Sequence, residues 1–367
     1  MRKATSLYLD ILRVTAALVV FAGHCTQLWY PEVFGYMMKA GHDAVVVFFV
    51  LSGYVIAYST LSKARGVKSY VLARLSRLYS VVLPALALTA LLLVIGQAIN
   101  PAYYAEFSRG YEGRRFFLSA FFLQESWRLS ASPPTNAPLW SLGYEFWYYA
   151  FFAAAVFLKS PRVKWLVIIS LALVVGYKVL LLMPIWMMGV ALYRYGDRIN
   201  ISRTIARVGF FLALAAFVGL ATYMPDLPVH HGFEPFYYSG AFITDFMTGT
   251  VLSAGIWLFD RGFGEMAVNE PFERGIRWIA DHTFSLYLYH FPLIVFVTGV
   301  VKFDRTQAWQ TIAVVGSVLG VILLLSTLTE SKRRLWHQGF SRLWDATARR
   351  GQLKPSTLSK DALRSEV

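Results

Sequence analysis

The chain has 367 residues, of which 57% are hydrophobic and only 15% charged, and its mean hydropathy is +0.50. A soluble domain is nearer ~45–50% apolar and ~25% charged. The composition therefore excludes an ordinary water-soluble enzyme, a disordered chain and a nucleic-acid-binding module, in spite of a net charge of +14.

The single cysteine, Cys25, excludes an intramolecular disulfide and a Cys-rich metal site. What remains is an all-α polytopic transmembrane helical bundle. A helix needs ~20 mainly apolar residues to cross a ~30 Å hydrocarbon core. About ten spans are expected, at Leu7–Gln27, His42–Thr60, Leu78–Ile99, Leu139–Leu158, Trp165–Leu182, Pro184–Tyr195, Val208–Met224, Tyr237–Phe259, Ile279–Val301 and Gln310–Thr329. The sixth is short. With both termini cytoplasmic, 26 of the 35 Lys and Arg fall in inner segments and seven in outer ones, as the positive-inside rule requires. Much of the basic surplus is then topology and contact with anionic membrane lipids, and no nucleic acid is needed. The first span holds Asp10 and Arg13, which a cleaved signal peptide avoids, so it is kept in the mature protein. Residues 1–330 form the expected transmembrane domain. Residues 331–367 are expected to form a basic cytoplasmic tail, a surface helix followed by a disordered end.

Ionisable groups inside spans are costly, so each is a functional candidate. In the first span, Arg13 and His24 are eleven residues apart. At ~100° per residue they share one face, ~16 Å apart along the axis. Asp10, three residues before Arg13, can pair with it. Position alone also fits a snorkelling arginine and an interfacial histidine. In the second span, Ser52-Gly53 removes bulk, so a neighbouring helix or a thin ligand can approach. Arg74 and Arg77 stand at the inner mouth of the third span, with Lys63, Arg65 and Lys68 upstream; the cluster suits phosphates of a cytosolic ligand or lipid headgroups.

The outer segment that follows includes Phe116–Leu123, expected at the interface or dipping into the bundle. Glu145 begins the fourth span at the depth of His24, where a carboxylate can orient an imidazole for general-base work or simply favour the helix start. His230-His231, in an outer loop, has no evident third ligand, so no metal is expected. In the ninth span, His290 stands beside Pro292, where a kink is expected; it is either a site residue or a packed core histidine.

Four stretches together resemble the acyltransferase-3 family of bacterial integral-membrane O-acyltransferases. Leu9-Asp10-Ile11-Leu12-Arg13 through His24 carries the family's Arg-ten-residues-His spacing. Phe48–Tyr54 matches its Phe-Phe-x-Leu-Ser-Gly segment, Leu139–Glu145 its Trp-Ser-Leu-x-x-Glu segment, and Ser285–Pro292 its Ser-Leu-Tyr-Leu-x-His-x-Pro segment. They occur in family order over nearly the whole chain to about Glu330. Gly143-Tyr144 departs from the residues often found before the motif glutamate, and a standalone form without a fused soluble domain after the last span is expected.

The resemblance implies transfer of an acyl group, often acetyl, from cytoplasmic acyl-CoA to a hydroxyl of a carbohydrate or glycosylated acceptor at the bacterial inner membrane. It makes His24 the catalytic residue and Arg13 its motif partner. Glu145, Ser52 and His290 fall on other motif positions, and Arg74 and Arg77 on basic positions near CoA. CoA phosphates would stay at the basic inner mouth while the thin pantetheine arm, ~15–20 Å extended, carries the thioester inward. The competing reading is a transporter or flippase for a lipid-linked sugar, which intramembrane charges and a proline kink also suit; no inverted repeat supports it. The ten-span orientation has a direct test. A cysteine placed at Arg109 should react with an impermeant reagent in intact cells and one at Gly66 should not; external labelling at Gly66 refutes the topology.

Overall fold

The computed structural model describes residues 1–62 and 66–352. Lys63 and Arg65 of the expected basic cluster, and the tail end beyond 352, lie outside the described residues. Helices run at α1 (Lys3–Trp29), α2 (Pro31–Leu61), α3 (Val67–Ile99), α4 (Pro101–Ala105), α5 (Glu112–Ala120), α6 (Trp140–Phe157), α7 (Pro161–Val175), α8 (Tyr177–Tyr195), α9 (Arg203–Tyr223), α10 (Phe242–Phe263), α11 (Glu270–Ala280), α12 (Thr283–Val300), α13 (Ala308–Leu328) and α14 (Arg333–Gln352). Among the described residues there is no strand. The protein is an all-α bundle.

Among those residues, eight helices are long and apolar enough to cross a membrane: α1, α2, α3, α8, α9, α10, α12 and α13. The expected fourth and fifth spans are α6 and α7. The first turns an aromatic face into the bundle, with Trp140, Tyr144, Tyr148 and Tyr149 all buried. The second has 15 residues, or about 22 Å of rise.

One boundary differs from expectation. The break between the expected fifth and sixth spans falls at Gly176, between α7 and α8, and not at Pro184, which lies inside α8. Gly176 has φ +76°, and a Cβ there would sit 2.8 Å from Trp127. The turn needs a residue free to adopt that backbone, and proline is tolerated within a packed membrane helix. Likewise α12 continues unbroken through Pro292.

Helix α1 packs along α2 and α12, and α2 packs along α8. The last contact is backbone on backbone. A Cβ on Gly53 would lie 2.0 Å from the Trp186 carbonyl oxygen, and one on Gly189 would lie 2.0 Å from the Val50 carbonyl oxygen. Only glycine permits that approach from both sides. Beyond the bundle, α14 lies against α3 through Phe340 on Tyr79 and a Lys68–Asp345 ion pair of 2.6 Å. The first turn of α12 is closed from a distance: Glu330 accepts hydrogen bonds from the Ser285 amide (3.0 Å) and hydroxyl (2.7 Å). A helix start needs such acceptors for its free amides.

The loop before α6 dips into the bundle and buries Phe122, Gln124 and Glu125. Glu125 Oε2 receives the Lys178 ammonium of α8 at 3.0 Å, and the two side chains are 1% and 0% exposed. Lys178 also donates to the Leu129 carbonyl. Removing one partner of a buried pair leaves an uncompensated charge, at a cost of about 3–5 kcal/mol. Glu125→Ala should therefore lower the thermal midpoint of the detergent-purified protein markedly. The double replacement Glu125→Leu, Lys178→Met should restore most of it. A single variant as stable as the parent refutes this role for the pair.

Candidate active site

The face of α1 that carries Arg13 and His24 borders two cavities stacked along the helix. Arg13 lines the first, at the end where α1, α3 and α12 begin, together with Ser52, Arg74, Arg77, Glu145 and Tyr149. His24 lines the second, at the other end of α1, with Gln27, His42, Arg109, Trp140, His231 and Tyr238. Val45 and Tyr287 line both. The Tyr287 hydroxyl lies 2.7 Å from Ser141 Oγ, so a short polar contact forms part of the wall between them.

The first cavity is built around Glu145. Ser52 and Tyr149 each donate to Glu145 Oε1 at 2.5 Å, and the Trp186 indole donates to Ser52 Oγ at 3.2 Å. The close approach at Gly53 and Gly189 puts Ser52 beside Trp186. The cations stand on two other helices. Arg74 lies over the Tyr149 ring and Arg77 over the Phe284 ring, with guanidinium carbons 5.9 and 5.6 Å from the ring centres. Arg74 Nε is buried with no hydrogen-bond partner among the described residues. Arg13 reaches Asp10 at 3.5 Å, while Asp10 also binds Arg277 of α11 at 3.1 Å. One lining carboxylate thus faces three guanidinium groups. That imbalance suits a polyanion.

In the second cavity, His24 Nδ1 lies 3.0 Å from Gln27 Oε1. An amide oxygen accepts, so Nδ1 carries the proton and Nε2 holds the lone pair. His290 lies close by, ring centres 5.1 Å apart. Its Nδ1 donates to the Leu286 carbonyl at 2.9 Å, and its buried Nε2 has no partner among the described residues. His42 Nε2 is 3.0 Å from Asp245 Oδ1, and the His42 and His231 rings lie 3.5 Å apart. Burial first, then the neighbouring His42, holds His231 far below the usual imidazole range, so it is neutral.

The eight residues singled out in the sequence therefore divide. Arg13, Ser52, Arg74, Arg77 and Glu145 meet in one cavity, and Asp10 supports Arg13 from behind. His24 and His290 meet at the other. The expected contact between Glu145 and His24 is not made: Glu145 is taken by Ser52 and Tyr149, and the side chain that orients His24 is Gln27. Gln27 and Tyr149 stand three and four residues from the groups they serve, on the same helix faces, and that spacing was a readable signal. The approach of His42 to Asp245 joins residues 203 apart, and no local pattern reports it.

No solved structure matches the chain. It is 23% identical over 344 residues to the peptidoglycan O-acetyltransferase OatA of Listeria monocytogenes, covering 83% of this chain and 52% of that protein. It is 24% identical over 352 residues to the putative peptidoglycan O-acetyltransferase YrhL of Bacillus subtilis, covering 83% and 51%. The chain spans about half the length of these curated relatives. The family model described as an acyltransferase domain, that of acyltransferase-3, matches residues 6–330, the whole stretch that holds both cavities. The chain belongs to the acyltransferase-3 family.

Proposed function

We propose that the protein is a membrane O-acyltransferase that moves an acyl group, acetyl in our reading, from acyl-CoA to a hydroxyl of a carbohydrate acceptor. One observation carries the proposal: α1 presents Arg13 to a cationic cavity and His24 to a neighbouring histidine-lined cavity, and the two share a wall at Val45 and Tyr287. Arg13, Arg74 and Arg77 would hold the anionic donor. Its thioester arm would pass the Val45–Tyr287 wall toward His24. The names of the two relatives support acetyl as the group and a glycan as the acceptor; the bacterial cytoplasmic membrane is part of our reading.

In this reading the acceptor hydroxyl gives its proton to His24 Nε2 as its oxygen attacks the thioester carbonyl. The tetrahedral intermediate collapses, the carbon–sulfur bond breaks, and the CoA thiolate recovers the proton from His24. An ester and free CoA result. Gln27 keeps His24 in the tautomer that accepts the proton. Glu145 does not touch the base; it fixes Ser52 and Tyr149 at the donor side.

Turnover tests the proposal. The purified protein should deplete acetyl-CoA and release free CoA when a glycan acceptor is supplied, which a transporter would not do. His24→Ala should lower the rate by ~10²–10⁴-fold, with acyl-CoA binding nearly unchanged. His24→Gln should be as inactive, because an amide takes no proton at neutral pH. Substantial turnover by His24→Gln sinks the base assignment.

The donor site has a separate test. A charge-assisted hydrogen bond contributes ~1.5–3 kcal/mol, roughly tenfold or more in affinity. Arg74→Glu combined with Arg77→Glu should weaken acetyl-CoA binding by about 100-fold or more, without a matching loss of folded protein. Unchanged donor affinity would assign both arginines to lipid headgroups.

A further inference from the structure

Bordering the second cavity is a cluster that the transfer chemistry leaves unused. His42 comes from α2, Asp245 from the first turn of α10, and His231 from the loop between α9 and α10. One ligand atom from each lies within 4.8 Å of the others. Asp245 is 1% exposed, and the side chains of His42 and His231 are each 10% exposed. Two polar atoms here are buried without a hydrogen-bond partner among the described residues, Asp245 Oδ2 and His231 Nδ1. Such atoms are costly to leave unmet. The other nitrogen of His231, Nε2, lies 3.9 Å from the Asp226 carboxylate, too far for a hydrogen bond here but on the side from which an outer carboxylate orients a ligating imidazole.

We propose that His42, His231 and Asp245 bind one divalent transition-metal cation of the zinc class. Two imidazole nitrogens and one carboxylate form a mixed nitrogen and oxygen donor set, which suits zinc and its neighbours; magnesium and calcium prefer oxygen alone. A cation engages both orphan atoms at once and balances the Asp245 charge. Three protein ligands leave a fourth position open, as in zinc sites that take a water or a substrate oxygen. His42 and His231 both line the His24 cavity, so the open position faces the space where, on the transferase reading, the acceptor sits. Metal–nitrogen bonds of ~2.0–2.1 Å hold two imidazole centres about 5 Å apart. Loading therefore draws the His231 loop away from His42, whose ring is now 3.5 Å distant.

The full chain, purified in detergent and stripped with chelator, is titrated with Zn2+ by calorimetry and with Co2+ by visible absorption. One ion per chain and the intense bands of four-coordinate cobalt are expected. Losing an outer partner of a metal ligand costs 10–100-fold in affinity, so His231→Ala and Asp245→Asn, which remove or disable a ligand, should weaken binding by about 100-fold or more. No stoichiometric binding by the parent protein, or six-coordinate cobalt spectra, overturns the proposal without reference to any variant. So does unchanged affinity in a folded Asp245→Asn protein. The readout needs no turnover: a protein that releases CoA but binds no cobalt loses the cation site alone, and one that binds cobalt but transfers nothing loses the transferase reading alone.

Discussion

The approach of α2 to α8 at Gly53 and Gly189 sets the rest of the interior. Two carbonyl oxygens occupy the space where β-carbons would otherwise stand, so the two helices meet with almost nothing between them. Ser52, next to Gly53, is thereby brought to the Trp186 indole and to Glu145. The same helix sends His42 and Val45 to the other cavity. A larger residue at either glycine would push α2 outward and displace groups at both ends. The small residues thus do more than fill an interface; they fix the depth at which one helix serves two sites.

Charge inside an apolar bundle is tolerated only where it is paired or borders a cavity. The protein uses both solutions, in different places. Glu125 and Lys178 are fully withdrawn from solvent and satisfy each other. Arg13, Arg74 and Arg77 border a cavity with one carboxylate among them, and that carboxylate already accepts two hydroxyl hydrogen bonds. The pair holds a loop to a helix; the arginines leave positive charge facing an open space. The first arrangement is complete without a ligand. The second is not.

The legibility of the sequence follows the range of the interactions. The apolar runs gave most helices, because burial in lipid is a local requirement. Arg13, Ser52, Glu145 and His290 stood out because charge and small residues are conspicuous within such runs. The break at Gly176 was missed: the boundary was placed between Leu182 and Pro184, and the deciding contact, with Trp127, comes from a distant loop. The role of Lys178 left no local mark, since its partner lies 53 residues away. The pairing of Glu145 with His24 was inferred from equal depth along two helices; depth says nothing about azimuth, and Glu145 faces the other cavity. The trio of His42, His231 and Asp245 spans three elements, so the sequence offered only the histidine pair in the loop.

Glu330 bears on how the protein divides along its length. It closes the first turn of α12, the helix that carries His290, and the family match also ends at residue 330. The membrane unit therefore ends on a side chain that reaches back to hold one of its own helices. A chain cut before this residue would release the start of α12 and loosen Tyr287 and His290 together. One cut just beyond it keeps the lock but gives up the contacts of α14 with α3. The stretch that matches the family thus closes on a clasp supplied by its own last residue.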